Sequence, residues 1–172
     1  MRFLAAVMFM GLALRSLGGP FDPENVLVEG YTLIRPAKWL WEAPREKSLS
    51  LCRFTIPGKS ETAVTDVSFY YVNGVQSEIR ERVMKNFDKK ATFSESSVAV
   101  GKTNLTYVRV RGTTTARKPA LLPDYELVGV MLLSKEKNQW FFARLFGPHA
   151  EVQLAEADFK KMIEHSLQEA AD

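Results

Sequence analysis

An α+β fold, with an antiparallel sheet of about six strands flanked by helices, is what this 172-residue sequence predicts. Three observations carry the prediction. Short β-branched and aromatic runs follow one another directly, divided by turn residues rather than by helices. Amphipathic helical periodicity occurs only at residues 75–87 and 149–168. Strands in succession with helices inserted, instead of strict strand–helix alternation, indicate antiparallel pairing and not a βαβ array.

The elements follow in order. Residues 19–30 read as a lead-in, opening with the proline- and acid-containing "GPFDPEN". Tyr31 to Ile34 is strand-like and stops at Arg35 and Pro36, since the residue before proline is restricted and proline lacks a donor. Trp39 and Trp41 follow before Pro44. The charged loop "REKS" leads to a strand from about Leu49 to Ile56, and "PGKSET" is turn chemistry. "AVTDVSFYYV" is a further strand, ended by Asn73 and Gly74. Val75, Ile79, Val83 and Phe87 then recur every fourth residue with Met84 beside them, while Glu78, Arg80, Glu81, Arg82 and Lys85 cover the other face of a surface helix. Two strands, about Ser96 to Val100 and Leu105 to Thr114, are joined by the turn "GKTN". "TARKPALLPDY" reads as a loop holding two prolines. A last strand pair, Glu126 to Leu133 and Gln139 to Phe146, is joined by the charged hairpin "SKEKN". The final helix spans about His149 to Gln168, with Val152, Ala155, Phe159, Met162, Ile163 and Leu167 on one face.

The aromatic run in "QWFFARLF" decides where the core lies. One face of this strand carries Trp140, Phe142, Arg144 and Phe146, and the other Phe141, Ala143 and Leu145. Apolar side chains on both faces predict an inner strand covered on both sides. Gly147 and Pro148 break it and start the last helix, where proline is tolerated in the first turn.

Composition narrows the classes of function. Apolar residues at 46% and charged residues at 25% describe an ordinary globular chain, and the length is that of one domain. The first residues read as an address. Arg2 precedes an uncharged apolar run from Phe3 to Leu14, and Ser16, Leu17 and Gly18 supply small residues around a cleavage point. That run is shorter than the ~20 apolar residues a membrane span needs. The expected organisation is a signal peptide over 1–18, the lead-in over 19–30 and a single domain over 31–170, exported after cleavage near Gly18 and Gly19. Removing Arg2 and Arg15 from the 23 basic residues leaves 21 against 20 acidic ones, a near balance that gives no support for nucleic-acid binding. No transmembrane span is expected in the mature chain.

Catalytic signatures are sparse. Cys52 is the only cysteine, which excludes an internal disulfide and any C-x-x-C motif; its apolar setting "LSLCRFTI" predicts a buried thiol. His149 and His165 stand at opposite ends of the last helix, too far apart to share a metal. No His-x-x-x-His pair, G-x-S-x-G elbow or phosphate-binding glycine loop is present. Catalytic, cofactor-binding and metal-ligating residues are therefore all predicted to be absent, and the protein is read as not an enzyme. One surface feature is singled out as a partner patch. Arg109 and Arg111 alternate with Val108 and Val110 and so share a strand face beside Tyr107, with Arg117, Lys118, Leu121 and Leu122 in the adjoining loop. As exposed charges, Arg109 and Arg111 should each cost only about 0.5 kcal/mol or less on replacement by glutamine.

The order of these motifs resembles PsbP-like domains. "YTLIRPAKW" is similar to their aromatic, proline and tryptophan entry, "TDVSFYYV" to their second strand block, and "LVGVMLLSKEKNQWFFARLFGPHAEV" with "FKKMIEHSL" to their closing hairpin and last helix. "DVSFYYVNG", "VRVRGTTT" and the closing segment also resemble an uncharacterised family of exported bacterial proteins of planctomycete type. The resemblance covers about Tyr31 to Leu167 and implies a sheet flanked by helices in a fold used for binding or assembly. It supplies no catalytic residues. The leading expectation is an exported, non-enzymatic binding or assembly module of the cell envelope, whose partner is an envelope protein or a small ligand. A carrier of a small apolar ligand, held between helix 75–87 and the sheet, is the alternative; an enzyme of unknown class is the third.

Overall fold

In the computed structural model, residues 23–43, 50–58, 64–116 and 121–168 are described. The chain begins with a hairpin, β1 (Asn25–Val28) and β2 (Tyr31–Ile34), followed by β3 (Leu40–Glu42), β4 (Ser50–Ile56) and β5 (Thr65–Tyr71). A 3-10 turn at Gln76–Glu78 runs into α1 (Ile79–Met84). Then come β6 (Thr92–Val100), β7 (Thr103–Thr114), β8 (Leu122–Leu133), β9 (Trp140–Pro148) and α2 (His149–Gln168). β3 to β9 form one seven-stranded sheet in the order β3-β4-β5-β9-β8-β7-β6, antiparallel throughout. The α+β class holds, with seven strands in the main sheet instead of about six.

β9 lies between β5 and β8, so its alternation is read on both sides. Phe141, Ala143 and Leu145 enter a core beneath α2 and the β1–β2 hairpin, together with Val67, Phe69, Val128, Phe159 and Ile163. Phe142 and Phe146 enter a second core on the opposite face, closed by Ile79, Val83 and Phe87 from the α1 segment. α2 is amphipathic as its spacing requires, and Val152, Ala155, Phe159, Met162 and Ile163 are all buried. At about 1.5–3 kcal/mol for each large side chain removed from water, this stripe is what attaches the helix.

Several boundaries differ from the sequence expectation: β6 begins at Thr92 instead of about Ser96, and Gly147 and Pro148 do not break β9 but pair with Glu126 and Tyr125 at its end. Asn25–Val28, inside the expected lead-in, is a strand because Glu29 (φ 51°) and Gly30 (φ 80°) make a two-residue turn with both central residues left-handed, the type I′ geometry of hairpins. Leu40–Glu42 pairs with β4 despite its shortness. The helix at 75–87 is only six residues long after its 3-10 turn, because Phe87 leaves it to form a β-bridge with Thr114. Asn86 reinforces that exit, its carbonyl accepting bonds from the Thr115 amide and the Thr114 hydroxyl. β8 begins at Leu122, within the expected loop; a register shift between Gly112 and Thr114, with Asp124 at φ 54°, accommodates Pro123.

Candidate functional site

The pleat of β7 sends Val108 and Val110 into the α1-side core, so Tyr107, Arg109 and Arg111 project toward α2. The three residues fare differently. Tyr107 is buried, and its hydroxyl donates to Glu164 at 3.3 Å. Burial, then the Glu164 carboxylate, push that hydroxyl well above its ordinary range. The Lys160 ammonium stands 5.2 Å from the centre of the Tyr107 ring. Arg111 is exposed and pairs with exposed Asp124 at 2.8 Å.

Arg109 is not an exposed cation, and here the sequence expectation is corrected. It donates to Glu126 through one nitrogen and to Glu156 through another at 2.5 Å. Glu126 is 1% exposed. Its second oxygen meets His149 Nδ1 at 2.8 Å and accepts from Gln153 Nε2 at 2.9 Å. Lys160 adds a contact to Glu156 at 2.8 Å. Burial alone would favour the neutral acid of Glu156, but the hydrogen bonds from Lys160 and Arg109 outweigh it and hold its carboxyl below the ordinary value. Burial alone would likewise lower the Arg109 guanidinium, which the Glu156 and Glu126 bonds instead raise. The spacing of His149, Gln153, Glu156 and Lys160 puts all four on one stripe of α2 beside its apolar face. They fasten the helix over a buried carboxylate that is satisfied on both oxygens.

Of the remaining patch residues, Leu121 is 68% exposed and Leu122 is half-buried against the α1-side core. Arg117 and Lys118 lie outside the described residues, as does the segment 1–18. The patch is thus divided between a half-buried network and an exposed pair, and Glu126, the buried carboxylate that organises the network, was not singled out from sequence. Its signal was there: one carboxylate heading the apolar run "ELVGVMLL", opposite a polar stripe on the last helix.

Other chemistry-bearing groups stay apart from this cluster. Cys52 is 1% exposed among Phe54, Phe69 and Trp39, and burial pushes its thiol up to about 12. A thiol so placed is not a nucleophile at neutral pH. His165 lines a groove of about 280 Å³ with Ile34, Pro36, Asp158 and Met162. A neighbouring groove of about 500 Å³ runs between Pro36, Trp39, Pro57 and Leu154. Among the described residues no group of three or more His, Cys, Asp or Glu is placed to hold a metal, and no helix is long and apolar enough to cross a membrane.

Much of the space between α1 and the sheet is filled by side chains. Phe142 is wholly buried there, edge-on to Tyr70 with ring centres 5.7 Å apart, and packs over Gly129 so closely that a Cβ on that glycine would fall 2.1 Å from the ring. The hollow beside α1, about 290 Å³, is lined by Ser77, Ile79, Glu95, Thr106, Val108 and Met131; neither Trp140 nor Phe142 reaches it.

A second buried carboxylate clasps the first hairpin to the β8–β9 loop. Glu29 accepts from the Ser134 hydroxyl at 2.6 Å and from Lys137 at 3.3 Å, while Lys137 also reaches the Tyr71 hydroxyl at 2.5 Å. Burial would raise its carboxyl, but the bonds with Ser134, Tyr71 and Lys137 hold it below the usual carboxylate range. The folded group therefore binds its proton less readily than the unfolded one, and its contribution is full above the usual carboxylate range and lost as pH falls through the lower folded value. Asparagine tolerates the left-handed backbone of this position. Denaturant melts of wild type and Glu29→Asn should show a stability gap at neutral pH that narrows as the pH falls below the usual carboxylate range. A gap that does not change with pH would mean that the charge contributes nothing.

No family model and no curated protein matches the chain. A match to a solved structure decides the fold: the solution structure of cyanobacterial PsbP (CyanoP) from Synechocystis sp. PCC 6803 aligns with a TM-score of 0.50 at 11% identity, covering 78% of this chain and 84% of that one. The fold is PsbP-like. At that identity the likeness is one of architecture, and the PsbP-like frame here consists of the seven-stranded sheet with α2 across one face and α1 across the other.

Proposed function

We propose that this PsbP-like protein is an exported, non-enzymatic binding or assembly module of the cell envelope. The likeness to CyanoP carries the reading, since a binding or assembly role is what the resemblance to PsbP-like domains implies. The packing supports it further. The sole cysteine is enclosed in core, the charged cluster under α2 is closed on itself by Arg109, and the aromatic strand is packed edge-on against Tyr70 through Phe142, outside the hollow beside α1. The layout of residues 1–18 supports export, and "DVSFYYVNG" with "VRVRGTTT" supports kinship with the exported planctomycete-type family.

Two measurements test this. Sequencing the protein recovered from its native host should give a start near Gly19; an intact Met1 chain in the cytoplasm would contradict export. Pull-down from the host envelope should return a partner in fixed proportion to the protein, and turnover of a small substrate by the purified protein would instead revive the enzyme reading.

A further inference from the structure

The two edges of the main sheet are built differently. β3, at one edge, is three residues long and closely preceded by Pro36, a short and blunted edge of the kind that resists pairing. β6, at the other edge, is nine residues long and paired with β7 at every position from Thr92–Arg111 to Val100–Thr103, with no bulge. It contains no proline and no lysine, and no described strand pairs with its outer side. Thr92, Ser94, Glu95, Ser96, Ser97 and Ala99 are exposed along it. An antiparallel edge strand directs every second N–H and C=O outward, so β6 presents a straight row of backbone donors and acceptors.

Charge selects what this row accepts. Lys89 and Lys90 stand exposed just ahead of β6, and Lys102 stands exposed in the turn after it. None of the three forms an ion pair with a described residue. The edge is thus neutral save for Glu95 and carries cations at both ends. A second copy of this chain is a poor occupant: antiparallel self-pairing through all nine residues, centred on Ser96, sets Lys90 of one copy opposite Lys102 of the other. We infer that β6 is a docking edge for an extended segment of another polypeptide, uncharged at its centre and acidic at both ends, which adds to the sheet as a further strand. Main-chain hydrogen bonds then supply affinity and the terminal lysines supply register. This deepens the binding role proposed above by naming its surface, and it rests on that reading for its biological meaning.

The test uses purified protein and synthetic peptides, so its outcome bears on the edge and leaves export and the envelope partner to their own measurements. The probe is a labelled peptide of alternating threonine and valine, nine residues long to match β6, with two aspartates added at each end. Controls are the same peptide ending in lysines and the acidic peptide N-methylated at alternate residues. Fluorescence anisotropy should show the acidic peptide binding about tenfold more tightly than the lysine-ended one, with the difference shrinking as salt is added. N-methylation should abolish binding. Reversing the exposed lysines together (Lys89→Glu, Lys90→Glu, Lys102→Glu) should invert the preference, and amide exchange should slow along Thr92–Val100 when the acidic peptide binds. Equal binding of both charged peptides, undiminished binding after N-methylation, protection confined to other strands, or dimerisation through β6 would each overturn the inference.

Discussion

Replacing Phe142 with alanine should destabilise the protein by about 3–5 kcal/mol, the cost of deleting a buried ring whose site cannot collapse. The ring is wholly buried, edge-on to Tyr70, and sits over Gly129 with no room for a Cβ between them. β9 is flanked by β5 and β8, which hold the backbone on both sides of the cavity, so little of the lost contact is recovered by movement. Denaturant melts of the two proteins measure the effect. A loss under about 1 kcal/mol would mean that the α1-side core is loosely packed, and would reopen the carrier reading.

Arg109→Met should cost about 3 kcal/mol, far more than the loss expected of an exposed arginine. The change strips one oxygen of Glu126, a carboxylate 1% exposed, of its Arg109 partner while leaving His149 and Gln153 on the other. Most of the penalty is the uncompensated buried charge, not the lost attraction. Removing that charge as well should therefore restore stability: the double variant Arg109→Met with Glu126→Leu is expected within about 1 kcal/mol of wild type. Arg111→Gln, which breaks only an exposed pair with Asp124, should stay at about 0.5 kcal/mol or less. If Arg109→Met and Arg111→Gln were equally mild, the network under α2 would be a solvated surface feature.

Much of the frame was legible because burial writes itself into periodicity. β9 was read correctly as a two-sided inner strand from Phe141, Phe142, Leu145 and Phe146, and the span of α2 from a stripe recurring every three or four residues. What escaped has a common cause. The first half of β6, "TFSE", lies at a sheet edge with solvent on most sides, so no apolar alternation marks it. β1 was hidden by a turn of Glu29 and Gly30, where asparagine or aspartate before glycine is the usual signal. α1 was overextended because Val75 and Phe87 continue the four-residue spacing, whereas Val75 is exposed and Phe87 belongs to a β-bridge. For the site, alternation correctly put Arg109 and Arg111 on one face of β7. It could not say that α2 crosses that face and buries Glu126 beneath it, because that contact joins residues far apart in the chain.

We propose that this PsbP-like protein acts outside the cytoplasm through a partner. Its most direct test is the native size and composition of the protein in gently solubilised envelope from its host. The account predicts a complex larger than the 19.4 kDa chain, containing the processed protein and one or more envelope proteins in constant ratio across the fractions. Recovery of the protein only as a free monomer, or only in the cytoplasmic fraction, would contradict it.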